Sequence, residues 1–421
     1  MKDNVEITEL RACEELLINK KNSLHERFGL KRVLEKSSNS RKLRFIYLPL
    51  SRLGKAGTLL IYFLLSIEIR KSAITVYRNK IIFDDHAKRL IRDVIFYECD
   101  PDYEKHVTTV QLYCPLKYFL RAGQIKKFLN NIKDSQKVSP LAIIIRCELW
   151  AHYILYAYSL PGLKYSGVIV VDDFSAKRLA LVLAAKESGL RTGIVKFSDE
   201  PARNCPFVQY DVLFSWNHQQ SEKDRGKYEV VSHLPRSWQS IRALRDVKNH
   251  HYIVGIALKS HFDEESFVNL ISDLKSKEWV KEAVVRFHPS TKKFEYCMDN
   301  KKIEFKLSDG AQEIFFKDID ILIAGSTSLV KEAMLAGVPV VYSPLLDTPH
   351  GTDFYSYASE GIIYNLEDEN LEKSTLAEID KFYQSKKWQE MRNQWVSHDP
   401  ESISMTAALD YLMAEAVKEQ Q

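Results

Sequence analysis

The sequence predicts an α/β protein whose parallel sheets fall into two halves, and three observations carry that expectation. Short β-branched runs alternate with helical patterns closed by glycine, acids and hydroxyls gather just after the runs, and one polar stretch interrupts the alternation. Strands that alternate with helices pair in parallel and receive ligands at their carboxyl ends.

The first third is the least periodic part. Apolar runs such as "LRFIYLPL" (43–50) and "TLLIYFLLSIEI" (58–69) lie between basic turns, which fits strands and helices without choosing between them. From 165 the pattern sharpens. "GVIVVDDFS" (167–175) is a strand ending in acids, "AKRLALVLAAKESGL" (176–190) is a helix closed by Gly189, and "RTGIVKFSDEP" (191–201) is a second strand ending in acids. Together they make a β-α-β unit. The polar residues from Gln219 to about His250 then read as the crossing between domains.

The cycle restarts with "HYIVGIALKS" (251–260), a helix over 264–276 and the strand and loop "EAVVRFHPS" (282–290). It continues with the strand and loop "DIDILIAGS" (318–326), the helix "TSLVKEAMLAG" (327–337) and the strand "VPVVYS" (338–343). The end, 403–421, reads as a terminal helix. Expected, then, are two Rossmann-like domains, 1–235 and 236–400, followed by a helical segment over 401–421. A length of 421 residues suits two domains.

Composition narrows the function. Hydrophobic residues at 45% and charged residues at 28% provide for real cores, and a net charge of +4 gives no reason to expect nucleic acid. The charge is uneven, with 20 Lys/Arg against 13 Asp/Glu in residues 1–100, and six Lys/Arg against one acid from Lys117 to Lys137. Apolar residues recur through that second stretch at roughly helical spacing, so it suits contact with an anionic membrane or a surface helix packed on its own domain. Six scattered cysteines without C-x-x-C spacing argue against structural zinc and suit a reducing cytoplasm. No signal peptide and no transmembrane helix are expected. The location expected is cytoplasmic, with or without a peripheral contact on the inner face of the cytoplasmic membrane.

The residues with the most chemistry lie between Asp318 and Pro344. A strand ends at Ala324, Gly325 allows a sharp turn, and Ser326, Thr327 and Ser328 fall where the next helix begins. Unpaired N–H groups and hydroxyls there suit a phosphate, and the same hydroxyls suit helix capping. Glu332 follows near the helix start, where a carboxylate can accept from two ribose hydroxyls or simply favour the helix dipole. Lys259 and Ser260, after the first strand of this half, would lie near the same phosphates.

"STSLVKEAMLAGVPVV" resembles the nucleotide-sugar-binding segment of GT-B glycosyltransferases, with a small-residue turn, a Glu-Ala and a Gly-x-Pro-Val-Val. The resemblance covers roughly Gly167 to Leu366 in order and spacing. One β-α unit earlier, "RFHP" (Arg286, Phe287, His288, Pro289) resembles the His-Pro motif of bacterial sialyltransferases and of capsule transferases that use CMP-activated acidic sugars. By that resemblance His288, Ser326 and Thr327 meet the donor phosphate, Arg286 shares its charge, and Pro289 fixes the turn. The implied partners are a nucleotide-sugar donor and a glycan or glycolipid acceptor. No cofactor or metal is expected, since no His/Cys cluster suggests one.

The base is expected from the N-terminal half, at a strand end. Asp199 with Glu200 in "KFSDEP" is taken first, and Asp173 with Asp172 in "VVDDFS" second. Asp172–Asp173 resembles the sialyltransferase paired acids, but Phe174 stands where that family has Gly. Acids solvated at a strand end are the plain alternative for both pairs. The loop residues His350, Gly351 and Thr352 are further candidates for the sugar. A UDP-sugar transferase, a UDP-N-acetylglucosamine 2-epimerase-like enzyme and a non-catalytic nucleotide-binding module are the rival readings.

Overall fold

The structure, a computed structural model, describes residues 54–84, 91, 100, 102–121, 123, 125, 128, 140–171, 175–196, 209–215, 230–233, 239–244, 251–259, 262–288, 306–308, 312–347, 353, 356–366, 371–396 and 403–414. They form two units, one from the residues up to 196 together with 209–233 and 403–414, the other from 239–396. Each unit is α/β around a largely parallel sheet, the Rossmann-like plan the sequence predicts.

In the first unit the sheet contains β1 (Lys71–Tyr77), β2 (Ile81–Asp84), β3 (Val107–Tyr113), β4 (Gly167–Val171), β5 (Arg191–Val195), β6 (Val212–Ser215) and β7 (Val230–His233), in the order β3-β1-β2-β4-β5-β6-β7. From β2 to β7 all neighbours are parallel, while β1 is antiparallel to both β2 and β3. β4 is buried along its length, as a central parallel strand should be. Helices α1 (Gly54–Ile69), the single turn α2 (Leu116–Phe119), α3 (Pro140–Ser159) and α4 (Ala176–Glu187) belong to this unit. α3 packs between α1 and α4, and its apolar length is buried in the core rather than in a membrane. Among the described residues no helix is long and apolar enough to cross a bilayer.

Val230–His233 corrects the sequence reading, which placed these residues in the crossing between domains. Two β-branched residues suffice for an edge strand next to β6, even within polar surroundings. β6 itself, "VLFS", was not singled out either. Of the basic stretch 117–137, the turn α2 is described, and most of the remainder lies outside the described residues.

The second unit repeats the pattern with β8 (Tyr252–Ala257), α5 (Glu264–Ser276), β9 (Val280–Arg286), β10 (Lys306–Leu307), α6 (Gln312–Asp318), β11 (Ile321–Ala324), α7 (Leu329–Leu335), β12 (Val340–Tyr342) and β13 (Tyr364–Asn365). Helices α8 (Lys373–Gln384) and α9 (Lys386–Val396) follow. The sheet is parallel throughout, in the order β10-β9-β8-β11-β12-β13. Renumbered within the unit that is 3-2-1-4-5-6, the doubly wound dinucleotide-fold order, whose direction reverses between β8 and β11. The last described helix, α10 (Met405–Met413), packs on β4, β5 and β7 and so belongs to the first unit.

The turn between β1 and β2 is strained. Arg78 and Asn79 both have positive φ, 48° and 55°, and the Lys80 amide donates to the Tyr77 carbonyl at 2.9 Å, so the two are the central residues of a primed-type turn. Asn tolerates this region and Arg does so at a cost. Buried Asp100 holds the tip in place: it accepts from the Tyr77 hydroxyl at 2.6 Å, from Arg78 at 3.2 Å and from the amide of Asp102 at 3.1 Å, with His106 Nδ1 at 2.8 Å.

Burial pushes the Asp100 carboxyl up, but hydrogen bonds from Tyr77 and His106, with the charges of His106 and Arg78, outweigh it and hold the group below its ordinary 3.8. Stability from a depressed carboxyl is present above its unfolded pKa and lost as pH falls through the folded one. Asp100→Asn is therefore expected to flatten the fall of the thermal midpoint below pH 3.8, and to lower the midpoint at neutral pH. Thermal melts of both proteins across pH test this, and an unchanged acid limb would refute the assignment.

Candidate functional site

The carboxyl edge of the second sheet is aligned by its register. Arg286, Ala257, Ala324 and Tyr342 are successive partners across β9, β8, β11 and β12, forming one lateral row at the switch point. His288, Lys259 and Ser326 each lie two residues beyond that row, so the motif residues emerge side by side.

Beneath them lies a residue that the sequence reading did not single out. The Asp347 side chain is fully buried, with 0% exposure. Lys259 Nζ pairs with its Oδ1. The Ser326 amide donates to Oδ1 and the Ser326 hydroxyl to Oδ2, both at 3.0 Å. The Tyr342 hydroxyl donates to Oδ2 at 2.8 Å. One carboxylate thus ties together the ends of β8, β11 and β12. Gly325 makes the approach possible, because a Cβ there would sit 2.6 Å from Asp347 Oδ1. Burial, followed by the charge of Asp347, pushes the Tyr342 phenol well above its usual range, so it stays a protonated donor.

This arrangement changes the roles expected for the hydroxyls. Helix α7 begins at Leu329 with Ser328 at its N-cap, and no side-chain bond closes that cap. Thr327 Oγ1 accepts from the Leu329 amide at 3.4 Å. Ser326 directs both its hydroxyl and its amide to Asp347. Glu332 lies in the first turn and is half-buried. At the other end Gly337 adopts φ +72° and ends the helix as a left-handed cap, as the Gly-x-Pro pattern implies.

At the end of β9, Arg286 is half-buried, with its guanidinium 5.7 Å from the Phe315 ring centroid and Nη1 3.4 Å from Ser308 Oγ. His288 is exposed on the loop that follows. The β8 and β9 ends are joined by the Leu258 amide, which donates to the Arg286 carbonyl at 3.0 Å. Hence Lys259, Arg286, His288 and Ser326 are gathered on one edge. Ser260, Pro289, His350, Gly351, Thr352 and both acid pairs, Asp172–Asp173 and Asp199–Glu200, lie outside the described residues. Among the described residues, no group of three or more His, Cys, Asp or Glu side chains could hold a metal ion.

Removing one partner of a buried ion pair leaves a charge uncompensated, typically at a cost of 3–5 kcal/mol. Asp347→Ala is therefore expected to destabilise the second unit by about 3 kcal/mol or more. The double variant Lys259→Met/Asp347→Leu, which leaves neither charge, should lose less. Denaturant titration of the three proteins measures both, and an Asp347→Ala loss no larger than that of the double variant would contradict the hub.

No protein-family model matches the chain, and no curated protein matches it in sequence. Solved structures are similar in fold at low identity. The calicheamicin glycosyltransferase CalG4 is 12% identical with a TM-score of 0.42, over 63% of this chain and 79% of that one. The glycosyltransferase of kitacinnamycin is 10% identical with a TM-score of 0.43, over 64% and 82%. The Methanocaldococcus jannaschii UDP-GlcNAc 2-epimerase is 15% identical with a TM-score of 0.37, over 57% and 75%. Scores of this size leave the functional argument to the site itself.

Proposed function

We propose that the chain is a GT-B glycosyltransferase that binds a nucleotide-sugar donor at the carboxyl edge of the second sheet and transfers the sugar to a hydroxyl of a glycan acceptor. The observation that supports this reading is the convergence of Lys259, Ser326, Arg286 and His288 on strand ends at the switch point, over one buried carboxylate. Switch points at the carboxyl ends of doubly wound sheets are where nucleotides bind.

In this reading Lys259, whose ammonium has three donors and gives one to Asp347, shares the donor phosphate with the Ser326–Ser328 turn. Glu332 accepts from the ribose hydroxyls. The acceptor oxygen attacks the anomeric carbon while the bond from that carbon to the phosphate oxygen breaks. The electron pair leaves with the nucleotide, and the acceptor proton passes to a carboxylate, Asp199 first and Asp173 second. Arg286 and His288 stabilise the charge that grows on the leaving phosphate, which is how fixed donors lower such a barrier.

The Arg286-x-His288-Pro289 element supports a CMP-linked acidic sugar, sialic acid or Kdo, and a role in bacterial surface polysaccharide or lipooligosaccharide assembly. A UDP-sugar is the second reading, supported by Glu332, because a ribose-binding carboxylate serves any nucleotide.

Calorimetric titration with CMP, UDP, GDP and CDP, repeated on His288→Ala, tests the proposal. CMP is expected to bind best, and loss of a hydrogen bond to a charged phosphate should weaken it roughly tenfold or more. Preference for UDP would turn the donor assignment to hexoses and to the epimerase alternative. If none of the four binds, the donor site is not where the proposal puts it.

A further inference from the structure

Helix α1 carries apolar residues on its outward side as well as on the side packed in the core. Its inward residues Ile61, Tyr62 and Leu65 are buried in the first unit's core. Its outward apolar residues are Ala56, Leu60, Phe63 and Ile67, which fall within an arc of about 60° on a helix of 3.6 residues per turn, while Leu64 at the margin packs against the core. Leu60 is 43% exposed and Ile67 39%. The helix's hydroxyls do not relieve this face, because Thr58 and Ser66 are buried and Ser66 donates to the Tyr62 carbonyl. An ordinary surface helix presents polar residues to water, and this one does the reverse.

Beside it runs the segment 114–121. The Cys114 amide donates to the Arg70 carbonyl at 2.9 Å, and the Tyr62 hydroxyl donates to the Phe119 carbonyl at 3.1 Å, so the segment runs back along α1. It adds Leu120, 39% exposed, and two exposed cations, Lys117 and Arg121. The Arg121 guanidinium rests 4.1 Å from the Tyr118 ring centroid. Lys55 near the start of α1 and Lys71 just after its end are exposed as well. The one carboxylate on α1 is Glu68, which is half-buried.

We infer that this face docks on an anionic phospholipid bilayer. Leu60, Phe63, Ile67 and Leu120 would enter the boundary between headgroups and acyl chains, while Lys55, Lys71, Lys117 and Arg121 meet the lipid phosphates. Two signals of this kind, apolar insertion and a basic rim, together give stable attachment where either alone is marginal. The basic rim favours lipid over self-association, since a two-fold contact between two such faces brings like charges together. At 16 residues α1 is too short to span a bilayer, so it would lie in the plane of the interface. The inference goes beyond the transferase reading and uses none of its residues.

The test is flotation of the 421-residue protein with phosphatidylcholine vesicles and with vesicles containing phosphatidylglycerol. The protein is expected to float with the anionic vesicles, less so at high salt, and hardly at all with neutral ones. Leu60→Glu/Ile67→Glu should abolish flotation. Lys117→Gln/Arg121→Gln should weaken the partition constant roughly thirty-fold, taking about a tenfold loss per 1.4 kcal/mol and ~1 kcal/mol per basic residue. Both pairs are exposed, and thermal melts check that each variant folds. Flotation with both vesicle types alike or with neither, or undiminished flotation of the folded variants, overturns the inference. Light scattering that shows a dimer made monomeric by Leu60→Glu/Ile67→Glu assigns the face to a second copy instead. No donor or acceptor is present in these measurements, so they stand apart from the outcome of the nucleotide titrations.

Discussion

A carboxylate held wholly out of water must be met by donors, and in the second unit that requirement shapes the entire carboxyl edge. Moving a charge from water into the interior costs several kcal/mol unless partners surround it. Asp347 finds four donors: the Lys259 ammonium, the Ser326 amide and hydroxyl, and the Tyr342 phenol. They come from three strand ends or the turns after them, so satisfying one acid fixes the relative positions of β8, β11 and β12. Gly325 is the steric counterpart of the same demand, since any side chain there would occupy the space the carboxylate needs. An edge held this way is organised by the protein's own donors, as the proposed stabilisation of a leaving phosphate would require.

Much of the second half was legible in the sequence for a local reason. The helix over 264–276 is α5 to the residue, with Asp263 accepting from the Ser266 amide as its cap, and the Gly337 stop is where the pattern puts it. Apolar periodicity, caps and left-handed glycines are written within a few residues of the elements they define. Asp347 was not legible, because its partners lie 88 and 21 residues away in Lys259 and Ser326. Within "SPLLDTP" it looks like an ordinary turn acid, and only the register of β8, β11 and β12 brings the donors to it. The reading of Ser326 as cap or phosphate ligand failed to foresee its two bonds to Asp347 for the same reason.

The first unit was less legible because its signals conflict. An apolar run such as "TLLIYFLLSIEI" carries no periodicity that separates strand from helix, and its outward residues are as apolar as its inward ones. Burial accounts for Ile61, Tyr62 and Leu65, whereas Leu60 and Ile67 stay exposed. A face that the fold does not need, rimmed with cations, is the kind of feature that a second environment explains. The short strands β6 and β7 were missed for a different reason: at four residues each they are too brief to show a period, and pairing with a neighbour sets them.

The two buried acids show why position along a strand decides between structural and functional readings. Asp100 and Asp347 are alike in kind, each buried and each bonded to a tyrosine hydroxyl and a cationic side chain. Asp100 braces the tip of the β1–β2 hairpin, where β2 starts, and the register pairs that start with the beginning of β4. It therefore lies at the amino end of the parallel strands, where conserving a strained turn is the whole task. Asp347 lies at the carboxyl ends beside the reversal of strand order, where helix starts and loop donors face outward together. The same chemistry at opposite ends of a sheet thus locks a hairpin in one unit and draws three strand ends together in the other.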